Sequence, residues 1–328
     1  MNAPLVAVSE LRLHYPSPQG PIRAVDGVDL EIFPGETLSL VGESGCGKST
    51  LARAVVGLER PTSGRVSFAG APLEAFPSSS RRALAKRIQM VFQDPDASLN
   101  PRATVERAVS EPLEIHERLT RGERERRVLE LLERVGIDGA LRQRYPHELS
   151  GGQRQRVCIA RTLSVRPDLL VCDEAVSALD VSVQAQILNL LADLKESYSL
   201  AYLFITHDLR VVRHVSDRVA VMYLGQIVEL AATDELFARP KHPYTEALLA
   251  SVPTVAGGAP KAQIRGEVPS PARPPAGCRF QTRCPHVMDR CREALPPLYD
   301  LGGRKSRCVL VENEALAQTY TGDRLGRS

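Results

Sequence analysis

The stretch "TLSLVGESGCGKST" constrains the fold more than any other part of this 328-residue chain. A short, mostly apolar run, typical of a buried strand, leads into a turn that matches G-x-x-x-x-G-K-[ST] from Gly42 onward. The following "LARAVVGLERPTSG" has a helical pattern that we expect to end at Pro61 and Gly64. A strand, a glycine-rich turn and a helix in this order present backbone N–H groups and a positive helix end to phosphate. The sequence therefore predicts a phosphate site on an α/β sheet.

Residues 42–50 form what we call the phosphate loop. In this motif Lys48 would reach the β and γ phosphates of a nucleotide, and Ser49 would ligate Mg²⁺. The candidate nucleotide-binding residues of the loop are Gly42, Glu43, Ser44, Gly45, Cys46, Gly47, Lys48, Ser49 and Thr50.

Two further stretches favour phosphate chemistry. "LLVCDE" ends a second predicted strand with two carboxylates, of which Asp173 is placed to hold Mg²⁺ and Glu174 to polarise an attacking water. In "LSGGQRQR", Ser150 and two glycines precede a helix and form a second anion-binding turn. That turn lacks a lysine, so it would complete a phosphate site built elsewhere.

The order of predicted elements indicates the fold class. "TLSLV", "LLVCDE" and "AYLFITHD" alternate with helical patterns, which favours a mainly parallel α/β sheet. A helical insertion at about 75–165 includes an amphipathic helix with Val128, Leu131, Leu132 and Val135 on one face. Beyond residue 253 a Pro- and Gly-rich stretch cannot continue a helix or central strand, so it predicts an arm from which a cysteine segment hangs.

Charge and hydropathy exclude several classes of protein. A net charge of +3 is far below the balance of a dedicated nucleic-acid binder, so no nucleic-acid partner is expected. The sequence shows no export signal and no apolar run of about 18 residues. We therefore expect a soluble, cytosolic chain that can dock on a membrane protein.

With these motifs in place, the sequence resembles the nucleotide-binding subunit of ATP-binding-cassette (ABC) transporters. "LSGGQRQR" matches the signature of that superfamily, and we call residues 150–153 the signature turn. The remaining family motifs follow in order: Tyr15 in "LHYP", Gln93 in "VFQDP", Asp180 in "SALD" and His207 in "FITHD". One departure is Ala175, which stands where the family usually has proline after the Asp-Glu pair.

The resemblance implies an α/β fold, a P-loop NTPase of the ABC ATPase type with an antiparallel β subdomain, a helical insertion and a C-terminal cysteine-containing extension. The nucleotide-binding domain would span residues 1–252, with its helical subdomain at about 94–165, and the oligopeptide/dipeptide-transporter extension would span 253–328.

The resemblance also implies that ATP is sandwiched between two cassettes. Tyr15 would stack on adenine, and Ser49, Gln93 and Asp173 would surround Mg²⁺. Glu174 would be the general base and His207 would contact the γ-phosphate, while Asp180 belongs to the D-loop. The signature turn of Ser150, Gly151, Gly152 and Gln153 would close over the nucleotide bound by the opposite subunit.

Longer stretches resemble the dipeptide and oligopeptide importer ATPases, namely "VFQDPDASLNPR", "YPHELSGGQRQR", "SALDVSVQAQILNLL", "HPYTEALLASVP" and "GEVPSPARPPAGCRFQTRC". This implies ATP hydrolysis that powers peptide uptake from the cytoplasmic face of the cell membrane, as a peripheral subunit. Its partners would be a second, non-identical ATPase, two permease subunits, whose coupling helix would face residues 93–116, and an extracytoplasmic substrate-binding protein. Nickel, glutathione and other small solutes remain alternatives, as does a soluble nucleic-acid-associated ABC ATPase.

Four of the seven cysteines lie in the cysteine segment, residues 277–308: Cys278, Cys284, Cys291 and Cys308. In a reducing compartment such a cluster favours a metal over disulfides, and it would replace a hydrophobic core in this short tail. Four thiolates suit Zn²⁺ or a [4Fe–4S] cluster, and the spacing lacks the C-x2-C pairs of zinc ribbons. The resemblance favours [4Fe–4S]; Zn²⁺ and free thiols stay open, and His286 is expected to be a solvated loop residue. We expect Cys158 and Cys172 to be small core residues.

Overall fold

The structure is a computed structural model that describes residues 3–76, 78–251 and 266–314. Its β-strands, numbered in chain order, are β1 (Val6–Tyr15), β2 (Ile22–Ile32), β3 (Thr37–Val41), β4 (Ser63–Phe68), β5 (Ala71–Pro72), β6 (Ile88–Val91), β7 (Leu169–Asp173), β8 (Ala201–Ile205), β9 (Arg218–Tyr223), β10 (Gln226–Ala232), β11 (Tyr299–Asp300) and β12 (Lys305–Ser306). Its α-helices are α1 (Lys48–Val55), α2 (Ser78–Arg87), α3 (Pro95–Ser98), α4 (Val105–His116), α5 (Arg121–Arg134), α6 (Gly151–Leu163), α7 (Val181–Tyr198), α8 (Leu209–Val215), α9 (Thr233–Ala238), α10 (Pro243–Ala250) and α11 (Arg290–Glu293).

These elements form two sheets, as the α/β prediction requires. An antiparallel sheet has the order β2-β1-β4-β5, and an eight-stranded sheet has the order β11-β12-β10-β9-β3-β8-β7-β6. In the larger sheet β9, β3, β8, β7 and β6 run parallel. The predicted strands at "TLSLV", "LLVCDE" and "AYLFITHD" are β3, β7 and β8, and all three are buried along their length. Their carboxyl ends lie along one edge of the sheet, where the candidate site forms.

The end of the first helix differs from the expectation. Helix α1 stops at Val55, and Gly57 adopts a positive φ of 76° just beyond it. Gly64 lies inside β4 instead of ending the helix. A glycine in the left-handed region is a frequent helix stop, so Gly57 provides the signal that we assigned to Pro61 and Gly64.

The region between β6 and β7 is helical and packs with its apolar faces inward. Helix α5 begins with a capping box between Thr120 and Glu123. Val128, Leu131 and Leu132 are buried, as the helical periodicity predicted. They join a core cluster with the buried faces of α4, α6 and α7.

The described part of the cysteine segment does not hang free, which corrects our expectation. Strand β12 pairs antiparallel with β10, so this segment lengthens the central sheet. Phe280 is only 1% exposed, and its ring lies 5.3 Å from the rings of both Tyr223 and Tyr244. The segment therefore shares an aromatic core with the rest of the chain, and its cysteines do not replace one.

Within the part of the chain that the structure describes, no helix combines the length and the apolar character needed to cross a bilayer.

Candidate nucleotide site and cysteine segment

The phosphate loop connects β3 to α1 and is held in a tight ring by its own backbone. Gly42 and Gly47 have φ values of 154° and 107°, which residues with a Cβ rarely adopt. Lys48 is only 5% exposed and donates hydrogen bonds to the carbonyl oxygens of Gly42 at 2.8 Å and Glu43 at 3.1 Å. The loop thus surrounds the lysine ammonium group, an arrangement that can accept a polyphosphate in place of the carbonyl contacts.

Ser49, in the phosphate loop, contacts Asp173 at the end of β7. The Ser49 hydroxyl donates to the Asp173 carboxylate at 3.0 Å, although the residues come from α1 and β7. Burial raises the pKa of Asp173 above its ordinary value, and the neighbouring Glu174 charge raises it further. A hydroxyl and a carboxylate are oxygen ligands of the kind that Mg²⁺ prefers, so this pair fits the predicted magnesium site.

Glu174 lies between two other candidate catalytic residues. Its Oε2 accepts a hydrogen bond from the Gln93 amide at 3.1 Å, and its Oε1 lies 3.4 Å from Nδ1 of His207. Its backbone N–H donates to the carbonyl of Ile205, which fixes the residue against β8. The imidazole of His207 is 59% exposed, so it faces the open side of the site. The structure therefore brings all three predicted residues together at the carboxyl ends of β6, β7 and β8.

Tyr15 lies at the end of β1, beside Thr50 and Glu59. Partial burial and the nearby Glu59 carboxylate raise the pKa of its phenol above the ordinary value. The antiparallel sheet thus places the Tyr15 side chain near Thr50, at the C-terminal end of the phosphate loop.

The signature turn forms the start of α6. Ser150 is the N-cap and makes a capping box with Gln153: its hydroxyl accepts from the Gln153 backbone at 3.3 Å, and Gln153 Oε1 accepts from the Ser150 backbone at 2.9 Å. Among the described residues, the turn makes no hydrogen bond with the phosphate loop of its own chain. This leaves its exposed N-terminal face available to a second subunit.

Two arginines of α6 connect the signature turn to the segment after Gln93. Nη1 of Arg154 donates to both carboxylate oxygens of Asp96, at 2.6 and 2.8 Å. Arg161 donates to the carbonyl of Ser98 at 2.6 Å. These contacts join the segment after Gln93 to the helix that begins at the signature turn.

Asp180 caps the next helix. Its carboxylate accepts from the Val183 backbone at 2.9 Å and from the Ser182 hydroxyl at 2.7 Å, and these hydrogen bonds lower the pKa of Asp180. The residue is thereby fixed at the start of α7, following the loop that carries Glu174.

The sequence analysis missed a contact that joins the cysteine segment to the phosphate loop. Arg283 forms a bidentate ion pair with Glu43, at 2.7 and 3.0 Å, and the Glu43 backbone N–H donates to the Tyr244 hydroxyl at 2.9 Å. Arg279 joins the same segment to β2 and to the turn between β9 and β10, through the Asp26 carboxylate and the Leu224 carbonyl. Although burial acts to raise it, Arg279 holds the pKa of Asp26 below its ordinary value. The only signal in the sequence is the placement of both arginines within the cysteine segment, and nothing there identifies their distant partners.

The four cysteines of the segment line one narrow cavity of about 10 Å³, together with His242, Phe280 and His286 among others. Burial raises the pKa of Cys278 and Cys284, and raises that of Cys308 to about 11, with the neighbouring thiols adding to the effect. Among residues 3–76, 78–251 and 266–314, no three His, Cys, Asp or Glu side chains lie close enough together to hold one metal ion.

Cys158 and Cys172 lie in the core of the helical side of the sheet, as predicted. Burial raises the pKa of Cys158 to about 11 and raises that of Cys172 as well, so both behave as small apolar side chains.

Comparisons with known proteins agree with this geometry. Residues 25–177 match the ABC transporter family, and residues 228–291 match the family described as oligopeptide/dipeptide transporter, C-terminal region. The oligopeptide transport ATP-binding protein AppF of Bacillus subtilis is 52% identical over 84% of this chain and 86% of its own length. The oligopeptide transport ATP-binding protein OppF of Escherichia coli is 46% identical over 94% of this chain and 96% of its own length.

Solved structures share the fold of the nucleotide-binding part. The cassette cbiO1 of Clostridium perfringens, part of the transporter complex cbiONQ, has a TM-score of 0.64 and 32% identity over 72% of this chain and 91% of its own. The ATP-binding cassette MJ0796, solved as a dimer in a post-hydrolysis state with ADP and phosphate, has a TM-score of 0.64 and 30% identity over 70% of this chain and 98% of its own. Together with the sheet order and the two matched families, these similarities identify the chain as a member of the ATP-binding-cassette transporter family, an ATPase subunit with the C-terminal region of the oligopeptide/dipeptide transporters.

Proposed function

We propose that this chain is the ATP-hydrolysing subunit that powers the uptake of dipeptides and oligopeptides through an ABC importer. The observation that supports hydrolysis is the placement of the Glu174 carboxylate between Gln93 and His207, next to the Ser49–Asp173 pair. Support for peptide as the transported solute comes from the relatives, which are named as oligopeptide and di/tripeptide transport ATP-binding proteins.

Each residue of the site has a separate task in this proposal. Lys48 leaves its carbonyl partners to bind the β and γ phosphates, and the helix dipole of α1 adds to the attraction. Ser49, Gln93 and Asp173 would hold Mg²⁺, which neutralises charge that develops on the phosphate oxygens. Glu174 accepts the proton of the attacking water, while His207 orients the γ-phosphate.

The second half of each site would come from a partner. We propose that the signature turn closes over nucleotide bound by a second, non-identical ATPase subunit, since its N-terminal face is exposed. The complex would contain two permease subunits. Residues 93–116 of this chain would face the coupling helix of a permease subunit, and the contacts of Arg154 and Arg161 would transmit its position to the signature turn. An extracytoplasmic binding protein would deliver the solute, and the ATPase would lie peripherally at the cytoplasmic face of the membrane.

Uptake by whole cells tests this function directly. A strain lacking this chain would be complemented with the parental gene, with Lys48→Ala, or with Glu133→Gln, an exposed control substitution on α5. Labelled di- and tripeptides should accumulate with the parental protein and the control, and not with Lys48→Ala. Uptake of labelled nickel or glutathione in place of peptide would reassign the solute, and recovery of the tagged chain with nucleic acid instead of membrane proteins would overturn the transport proposal.

We also propose that the four cysteines hold a [4Fe–4S] cluster. The four thiols line one cavity, and four cysteine thiolates are the ligand set that a [4Fe–4S] cluster takes. Because the free space is only about 10 Å³, the cysteine side chains must rotate outward to admit a cluster. The proposed extension of residues 253–328 would then be a cluster-bearing module attached to a nucleotide-binding domain of residues 1–252.

Anaerobic purification followed by iron, zinc and sulfide analysis tests the cluster. About four iron and four sulfide per chain, with broad visible absorption that is lost in Cys291→Ser, would support it. Stoichiometric zinc, or four titratable free thiols in the anaerobic protein, would each overturn the cluster and leave the ATPase proposal intact.

A further inference from the structure

Glu43, in the phosphate loop, is held from two sides by residues that lie about 200 or more positions later in the chain. Its carboxylate accepts hydrogen bonds from both terminal nitrogens of Arg283, and its backbone N–H donates to the hydroxyl of Tyr244. The carbonyl of the same residue accepts from Lys48 at 3.1 Å. One residue therefore links the candidate phosphate-binding lysine to α10 and to the cysteine segment.

The Arg283 contact is built to hold one orientation. Its side chain is 5% exposed, while that of Glu43 is 26% exposed, and the pair is bidentate. The Tyr223 hydroxyl lies 3.4 Å from the same guanidinium group, and the guanidinium carbon lies 5.9 Å from the centre of the Tyr223 ring. A planar guanidinium in such a setting fixes both the position and the rotation of the carboxylate that it binds.

Charge makes the contact important for nucleotide. The Glu43 carboxylate lies in the loop that receives a polyphosphate, so without a counter-charge it would repel the ligand. Arg283 supplies that counter-charge. The Tyr244 hydroxyl accepts a hydrogen bond from the backbone N–H of Glu43, which restricts the orientation of this peptide group.

We propose that Arg283 and Tyr244 are positioning residues for the nucleotide site. Through these two residues, the packing of the cysteine segment against the rest of the chain sets the affinity of the phosphate loop for nucleotide. Arg283 precedes Cys284 in the chain, and Tyr244 packs on Phe280 from the same segment. Because such coupling is reciprocal, bound nucleotide should in turn hold the segment more firmly around its cysteines. The proposal rests on nucleotide binding at the phosphate loop and does not require a metal cluster.

Titration of the full-length chain with Mg·ADP tests the proposal without interference from hydrolysis. Arg283→Met should raise the dissociation constant about tenfold, and Arg283→Lys should raise it about threefold because it restores the charge without the bidentate geometry. Tyr244→Phe, which keeps the ring packing, should raise it about fivefold. Arg290→Met is the matched control, since Arg290 pairs with Glu312 on the exposed side of the same segment.

A double-mutant cycle separates positioning from general damage to the fold. If Arg283 acts through Glu43, adding Arg283→Met to Glu43→Gln should change the dissociation constant by less than about twofold. In the assembled transporter, Arg283→Met should raise the ATP concentration that gives half-maximal turnover, and it should leave the rate at saturating ATP unchanged. A purely structural role would lower the amount of active protein and leave the half-maximal concentration unchanged.

Parental affinity in both Arg283→Lys and Tyr244→Phe would overturn the proposal, and both variants are conservative enough to fold if Arg283→Met does not. A rise of about tenfold in the dissociation constant when Arg283→Met is added to Glu43→Gln would also overturn the proposal. Lys48→Ala distinguishes this failure from failure of the proposed nucleotide site: if Lys48→Ala binds Mg·ADP normally, the site itself is wrong.

Discussion

Glu174 accepts a hydrogen bond from the amide of Gln93 at 3.1 Å, although 81 positions separate the two residues in the sequence. Glu174 also has a positive φ of 49°, a conformation that costs roughly 1 kcal/mol or more for a residue with a side chain. Its backbone N–H is bound to Ile205, which offsets part of that cost. The carboxylate is therefore held in an uncommon backbone conformation that directs it between Gln93 and His207.

Replacing this carboxylate tests its role in hydrolysis. Glu174→Gln keeps the shape and can still pair with neighbouring polar groups, but an amide cannot accept a proton from water. We expect ATP hydrolysis by the assembled transporter to fall by about 100-fold or more, with nucleotide affinity retained and the closed ATP-bound dimer accumulating. Phosphate release and size-exclusion chromatography with ATP measure the two effects.

Glu133→Gln controls for the loss of a negative charge, because Glu133 is exposed on α5 away from the site. It should hydrolyse ATP at the parental rate. Parental hydrolysis by Glu174→Gln as well would remove Glu174 from the role of general base and direct attention to another acceptor.

The local motifs were the predictable part of this site. The phosphate loop, the Asp-Glu pair and the capped signature turn each depend on residues adjacent in sequence, so their strand and helix contexts could be read from periodicity and glycine placement. Strand β6 was missed because its four residues, "IQMV", follow a charged helix without a turn signal between them. The β9–β10 hairpin was not identified either, although "YLGQ" supplies a glycine at its turn.

The contacts of the cysteine segment were beyond prediction from one sequence. Arg283 and Glu43 are 240 positions apart, and a charged side chain gives no sign in sequence of whether it will be exposed or buried in an ion pair. The same holds for Arg279 and Asp26, which are 253 positions apart. Pro and Gly content indicated a break in regular structure, but it did not reveal that the chain returns to pair with β10.

Gly47 is a position where the loop conformation itself can be tested. Its φ is 107°, and a Cβ at this position would lie 1.9 Å from the carbonyl oxygen of Ala24. Gly47→Ala therefore forces the loop away from β2, and we expect a loss of stability of about 2 to 4 kcal/mol together with weaker Mg·ADP binding. Urea unfolding and nucleotide titration measure the two consequences.

Gly45→Ala is the matched control for backbone strain. Gly45 also has a positive φ, of 77°, but a Cβ added there would meet no other atom within 4 Å. It should cost only about 1 kcal/mol, the ordinary penalty for a side chain in the left-handed region. Equal losses in the two variants would show that strain alone matters and that contact with β2 does not fix the loop.

His242 predicts a dependence of stability on pH. The imidazole is 2% exposed, its Nδ1 accepts from the Tyr244 backbone at 3.1 Å, and burial lowers its pKa to about 3. Because the folded pKa lies below the unfolded value of 6.5, the unfolded chain binds the proton more readily. The contribution of neutral His242 is fully present above pH 6.5 and is lost as pH falls toward 3, which amounts to about 2 kcal/mol between pH 7 and pH 5.

Urea unfolding of the parental chain and His242→Asn at pH 7 and pH 5, under reducing conditions, measures this contribution. Asparagine can also cap α10 but does not titrate, so the variant should be less stable at pH 7 and should lose less stability on acidification. His147→Asn, at an exposed position, should keep the parental pH dependence. An unchanged difference between the two pH values in His242→Asn would assign the acid sensitivity to other groups and show that His242 accepts a proton within the folded chain.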